Sequence, residues 1–141
     1  MTALPPAPRP CASCAYRIDV PSGVWSQEEY GKLPRYDGPT WTQPLGLFLC
    51  HQHDRGDDRA RVCGGWAGWH DGDHLLALRV AAAAGDIDLE TAEAIRDYLS
   101  PVALFASGAE AAAHGIREIT GPGPDARRSI AKIRRTRTHL T

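Results

Sequence analysis

Four cysteines carry the strongest chemistry in this 141-residue sequence, and all lie in its first half: Cys11-Ala-Ser-Cys14, then Cys50, then Cys63-Gly-Gly. A C-x-x-C turn aims two sulfurs from one tight loop at a single point. A tetrahedral metal and a cubane cluster both use that geometry, and both take thiolate ligands. Two more cysteines at longer range complete a four-thiolate set on Cys11, Cys14, Cys50 and Cys63 and close a loop of roughly 50 residues. Disulfides compete for any even count, but a reducing cytosol disfavours them. Cys50 and Cys63 as plain buried thiols are a further alternative, as is a thioredoxin-like redox pair at Cys11 and Cys14. That pair normally lies at a strand-to-helix junction, whereas a proline-rich arm precedes Cys11 here.

The metal is the next question. Zinc ribbons repeat the C-x-x-C knuckle, but Cys50 and Cys63 stand 13 apart. Iron–sulfur clusters tolerate such scattered ligands better, and Trp41, Trp66 and Trp69 would exclude water, so the spacing leans to an iron–sulfur cluster over zinc. His51 pulls the other way. As a ligand in place of one thiolate it gives a Cys3His set suited to zinc, and otherwise it can donate to a cysteine sulfur. His53 reads as a hydrogen-bonded loop residue.

Catalytic side chains are present but not ordered into a motif. His70 and His74 flank Asp71-Gly-Asp73, and His51, His53, Asp54 and Asp57 fall close together. Solvated turns explain both groups better than a hydrolytic metal site does. The sequence has no G-x-S-x-G, P-loop, H-E-x-x-H or Rossmann glycine pattern. A four-thiolate site also leaves no open position for substrate. No catalytic residue is assigned, and a metal-dependent enzyme using the His/Asp loops stays as an alternative.

The elements that must position the cysteines are short. Residues 1–10 read as a proline-rich extended arm, 11–120 as one metal-binding domain, and 121–141 as a basic helix or tail. Ser26 and Glu29 form a capping box for a helix over 27–33, before Pro34. Residues 45–49 form one buried strand. After His74 the texture turns to Ala-rich helices: one over 74–84 ended by Gly85, and one capped by Asp88 with Leu89, Ala92, Ile95 and Leu99 on one face. Ser100-Pro101 ends that helix and can start another, Ser107 and Glu110 open a helix over 107–119, and Asp125 caps a last basic helix. The expected fold is α+β: a small loop-rich, metal-stapled N-terminal half, with at most a small sheet, packed on a C-terminal layer of Ala-rich helices.

Composition is close to globular averages, with 43% hydrophobic and 23% charged residues. The 14 Arg against 2 Lys, 21 Ala and no Asn fit a GC-rich coding sequence. Nothing approaches a membrane span, and the N-terminus lacks the charge and apolar run of a signal peptide, so a cytoplasmic protein is expected. The net charge of −1 hides an asymmetry: residues 85–120 hold two basic and seven acidic side chains, and residues 121–141 six basic and one acidic. Arg127, Arg128, Lys132, Arg134, Arg135 and Arg137 could contact nucleic-acid phosphates or a protein partner, with Ile130 and Ile133 packing inward. The competing outcome is a solvated tail, or one folded onto the acidic helices. No membrane contact and no small-molecule substrate is indicated.

Cys11-Ala-Ser-Cys14-Ala-Tyr-Arg17, Gly23-Val-Trp25, Tyr36-Asp37, Phe48-Leu-Cys50-His51, Cys63-Gly-Gly-Trp66 and Leu76-Ala-Leu-Arg79 follow in a characteristic order. This set resembles an uncharacterised domain family of actinobacteria and their phages. Its signature is C-x-x-C-P-[YW]-R, then a Cys-His pair, then C-[AG]-G-[WF]; Ala15 stands where the pattern has proline. The resemblance supports the same ligand set and implies no reaction. A part-wise similarity links the chain to WhiB-like iron–sulfur regulators, which also combine four cysteines, a Gly/Trp turn and a basic tail, with the C-x-x-C in a different order. The functional expectation is a small metal-binding protein of regulatory or binding type. The alternatives are a redox or metal sensor and a DNA-associated regulator using the basic tail.

Overall fold

Ser26 accepts a hydrogen bond from the Glu29 amide at 3.3 Å, and this cap starts helix α1 (Gln27–Gly31). The chain then tightens into a 3-10 turn over Leu33–Tyr36, where the ring of Pro34 suits the first turn. Five further helices follow in the computed structural model, which describes residues 3–53 and 56–136. They are α2 (Gly64–Trp69), α3 (Leu76–Ala84), α4 (Leu89–Arg96), α5 (Gly108–Ile116) and α6 (Pro124–Thr136). Asp88 caps α4 through the Thr91 amide at 2.7 Å, Ser107 caps α5 through the Glu110 amide at 3.0 Å, and Gly85 ends α3 at φ 75°.

The β component is smaller than an α+β fold requires. Among the described residues it reduces to three isolated bridges, Leu4 with Arg61, Arg17 with Leu104, and Leu49 with Val62. Of the expected strand over 45–49, only Leu49 pairs, and Leu45 is exposed. The fold is helix-rich and small. The proline arm is not free, because the Leu4 amide donates to Ala60 O at 2.9 Å and Leu4 O accepts from Val62 at 3.0 Å. Helix α5 packs on α1 and on the Leu33–Tyr36 turn, while α4 packs on α3 and α2.

Three expectations about the helices change. Of the expected α4 face, Ile95 is completely buried and Ala92 packs partly buried against the core, but Leu89 and Leu99 are 73% and 87% exposed, and Thr91 is buried in addition. The helix stops at Arg96, so Leu99 falls beyond the last turn and helical spacing no longer applies to it. No helix begins at Pro101; Ser100 Oγ donates to Val102 O at 2.7 Å and accepts from the Val102 amide, closing a local turn instead. Asp125 does not cap α6. Pro124 is its first residue and the Asp125 carboxylate pairs with Arg128. No helix among the described residues is long and apolar enough to cross a membrane.

Side chains reaching distant backbone hold the halves together. Asp37 accepts from the Gly108 and Ala109 amides at 2.7 and 2.9 Å, capping α5 from about 70 residues away. Ser22 Oγ donates to Gly115 O and accepts from the Glu118 amide, and His114 Nε2 donates to Val20 O at 2.7 Å. The buried apolar core formed this way runs from Ala3 to Ile133.

Replacing Ile95 with Ala should lower unfolding stability by about 2–5 kcal/mol, the usual loss for a fully buried aliphatic side chain. The same change at Leu99 should stay within about 0.5 kcal/mol. Urea denaturation of the two variants checks which residue the core uses.

Candidate metal centre

The Cys11–Cys14 turn is closed by Cys14 N donating to Cys11 O at 3.0 Å and fastened from outside. Trp25 Nε1 donates to Ser13 O at 2.8 Å, Gln52 Nε2 to Ser13 Oγ at 2.9 Å, and the Arg17 guanidinium to Pro10 O at 3.0 Å. The other two cysteines flank the Leu49–Val62 bridge, in which Cys50 N donates to Arg61 O and Cys63 N to Phe48 O, each at 2.9 Å. Cys63 then leads directly into α2. The two glycines behind it have a steric reason: a Cβ on Gly65 would lie 2.4 Å from Cys14 Sγ and 2.7 Å from Tyr16 Cβ. Only a residue without a side chain lets the knuckle sulfur reach the helix backbone.

The four sulfurs come together as a chain of contacts. Cys14 Sγ lies 3.8 Å from Cys63 Sγ, and Cys11 interacts with both Cys14 and Cys50. All four are free thiols, three buried and Cys11 half-buried. The 3.8 Å separation is far beyond a disulfide bond, and it equals the edge of a sulfur tetrahedron with metal–sulfur bonds of about 2.3 Å. Among the described residues, no group of three or more His, Cys, Asp or Glu side chains that could hold a metal ion is found.

Hydrogen bonds from the Cys14 and Cys50 thiols hold Cys11 well below the usual thiol value. Cys14 and Cys50 are pushed up, first because they donate to Cys11; Cys63 and burial raise Cys14 further, and burial raises Cys50. The hydrogen bonds within the set thus favour ionisation of Cys11 at the expense of Cys14 and Cys50.

His51 sits against a carboxylate and two aromatic rings. Its Nε2 lies 2.6 Å from Glu29 Oε2, and its ring rests against Trp25 and Phe48 at 4.6 and 5.4 Å. Glu29, read from sequence only as part of a cap, is held well below the usual carboxylate range, chiefly by His51. His53 is half-buried, Asp57 pairs with Arg59, and Asp54 lies outside the described residues. Trp41 does not shield the sulfurs, being 81% exposed, whereas Trp66 is buried. Arg127, Arg128, Lys132, Arg134 and Arg135 are all exposed on α6, away from the cysteines in sequence and role; Arg137 lies outside the described residues.

His74 is a solvated turn residue, paired with Asp71 at 2.8 Å, as the turn chemistry implies. His70 is not. It is wedged between Trp69, at a ring separation of 3.8 Å, and Trp66, Tyr16 and Tyr36. Its Nδ1–H donates to Trp66 O at 2.5 Å, its Nε2 is buried without a partner, and burial pushes its pKa down to about 4. The clue in the sequence was the company of aromatic residues, Trp66 and Trp69 at one helical turn and one residue before it.

Residues 6–137 match the family of unknown function DUF6283, and the chain belongs to that family. No curated protein matches the chain, and no solved structure does.

Gly65→Ala should destabilise the fold by about 1–3 kcal/mol through overpacking at Cys14. Gly31→Ala, where nothing lies within 4 Å, should leave stability unchanged or slightly raised. Because His70 is neutral in the folded state but protonates near pH 6.5 when unfolded, its contribution is complete above that pH. It should fall away as pH drops from about 6.5 toward 4. Unfolding measured between pH 7 and 5 should show that slope, and His70→Phe should flatten it.

Proposed function

We propose that this DUF6283 member is a small metal-binding protein of binding or regulatory type, in which Cys11, Cys14, Cys50 and Cys63 together hold one zinc ion that staples the loop-rich half. The observation that carries this reading is the 3.8 Å approach of Cys14 Sγ to Cys63 Sγ within a buried set of four sulfurs. One tetrahedral ion places thiolates at that edge length, whereas a cubane distributes them over different irons and holds them farther apart. Cys11 interacting with both Cys14 and Cys50 favours one centre over two separated pairs. This shifts the choice of metal from an iron–sulfur cluster to zinc.

The donor chemistry fits the ion. Thiolates neutralise the charge of a divalent cation, and the cation relieves the repulsion that burial imposes on them. His51 supports the set from its place between Glu29 and Trp25 and is not among the four ligands. With four protein ligands the site is closed, which suits a structural or regulatory role better than hydrolysis.

Protein purified without oxygen should be colourless and contain one zinc per chain, with neither iron nor labile sulfide. Cys14→Ser and Cys63→Ser should each lose the metal, and chelation should lower the thermal midpoint or unfold the protein outright. Stoichiometric iron with labile sulfide would replace zinc by a cluster. Absence of both metals, with stability unaffected by a chelator, would overturn the metal reading.

A further inference from the structure

Helix α6 is built as two faces. Ala126 and Ile133 are buried, Ser129 and Ile130 are half-buried, and Arg127, Arg128, Lys132, Arg134 and Arg135 are all exposed. At 100° per residue the five basic positions cover an arc of about 160°, whose only apolar residues are Pro124 in the first turn and Ala131. Arg127 and Arg128 recur as Arg134 and Arg135 seven residues later, two turns or roughly 10 Å along the axis.

The charge is not spent inside the protein. Asp125 pairs with Arg128 at the first turn, and Arg127 donates to Pro122 O at 2.8 Å. Lys132, Arg134 and Arg135 form no ion pair among the described residues, and no acidic side chain of residues 85–120 pairs with the helix there. Among the described residues, α6 is therefore not tied to the acidic helices by ion pairs. Its apolar side instead faces Val24, Trp25, Ile119 and Pro122 across a cleft of about 400 Å³.

We propose that the exposed face of α6 binds the phosphate backbone of duplex DNA without sequence preference. Four arginines supply planar forks that match phosphate oxygens, in an array long enough to meet several phosphates. A membrane surface fits less well, because an interfacial helix needs its apolar face free and this one uses that face against the body. A helix enters the wide major groove of B-DNA but not the deep, narrow groove of duplex RNA. The exposed face carries no Asn, Gln or Glu to read adenine or cytosine edges, and its arginines are assigned here to phosphates, the contacts that position a protein without reading sequence. The proposal is independent of the metal and goes beyond it.

The test is fluorescence anisotropy of the full-length protein with a mixed-sequence duplex of about 25 base pairs, from 50 to 200 mM salt. The expected result is binding at 50 mM that weakens steeply with salt. The triple variant Lys132→Gln, Arg134→Gln, Arg135→Gln should flatten the log–log salt slope by about 2.7, at roughly 0.9 per phosphate contact, and weaken binding at least tenfold at 50 mM. Far-UV circular dichroism and the thermal midpoint should be unchanged. Arg135→Glu alone should weaken binding in the same direction if the triple variant does not fold. No binding at 50 mM, or a folded variant with an unchanged slope, would overturn the proposal. So would equally tight binding to polyglutamate or to anionic phospholipid vesicles, which would transfer the face to an acidic protein or a membrane.

Discussion

Everything before helix α3 depends on the contact between two turns: the Cys11–Cys14 knuckle and the bridge that sets Cys50 beside Cys63. A hairpin held by one bridge is marginal in water, and neither turn has a ladder to extend it. What fixes them is close packing of sulfur on backbone at Gly65, with Tyr16 and Trp66 fully buried alongside. The same contact creates an electrostatic demand. Thiols gathered out of water hydrogen-bond among themselves, so Cys11 loses its proton most readily while Cys14 and Cys50 hold theirs.

The rest of the N-terminal half solves a different problem, the satisfaction of backbone groups without sheets. Asp37 accepts from the first two amides of α5, and Gln43 bridges Gly38 O and the Leu76 amide. Ser22 works on both sides of the α5 terminus. Each is a short polar side chain in a loop, standing in for a strand neighbour. Loss of such a residue removes a tertiary tie along with a hydrogen bond, so these loops are structural and not merely connecting.

The parts legible in the sequence were those decided within one helical turn. Ser26, Asp88 and Ser107 bond an amide three residues away, so type and spacing alone identify them, and Gly85 marks the end of α3 in the same way. The four cysteines were legible as a set because few chemistries explain them, although their mutual distances depend on the bridge at Leu49. Leu99 misled because helical spacing was counted past Arg96, where the helix had already ended. Residues 45–49 misled because apolar character marks burial and not pairing. His70 was legible only through its neighbours Trp66 and Trp69, since two of the four rings around it come from distant residues, and Asp37 could not be read at all, being defined by a helix about 70 residues downstream.

The ties from residues 20–23 to α5 also order events in time. Ser22 reaches Gly115 across 93 residues, so its partner does not exist until most of the chain has been made. At translation rates of about 5–20 residues per second, the interval is roughly 5 to 20 seconds. During it the knuckle with Cys11 and Cys14 has already left the ribosome while the helix that anchors its flank is still unmade. Cys50 and Cys63 emerge well inside that interval, so the thiols meet the cell's ions and oxidants before the fold can close. The first chemistry the four thiols meet is thus met on a nascent chain.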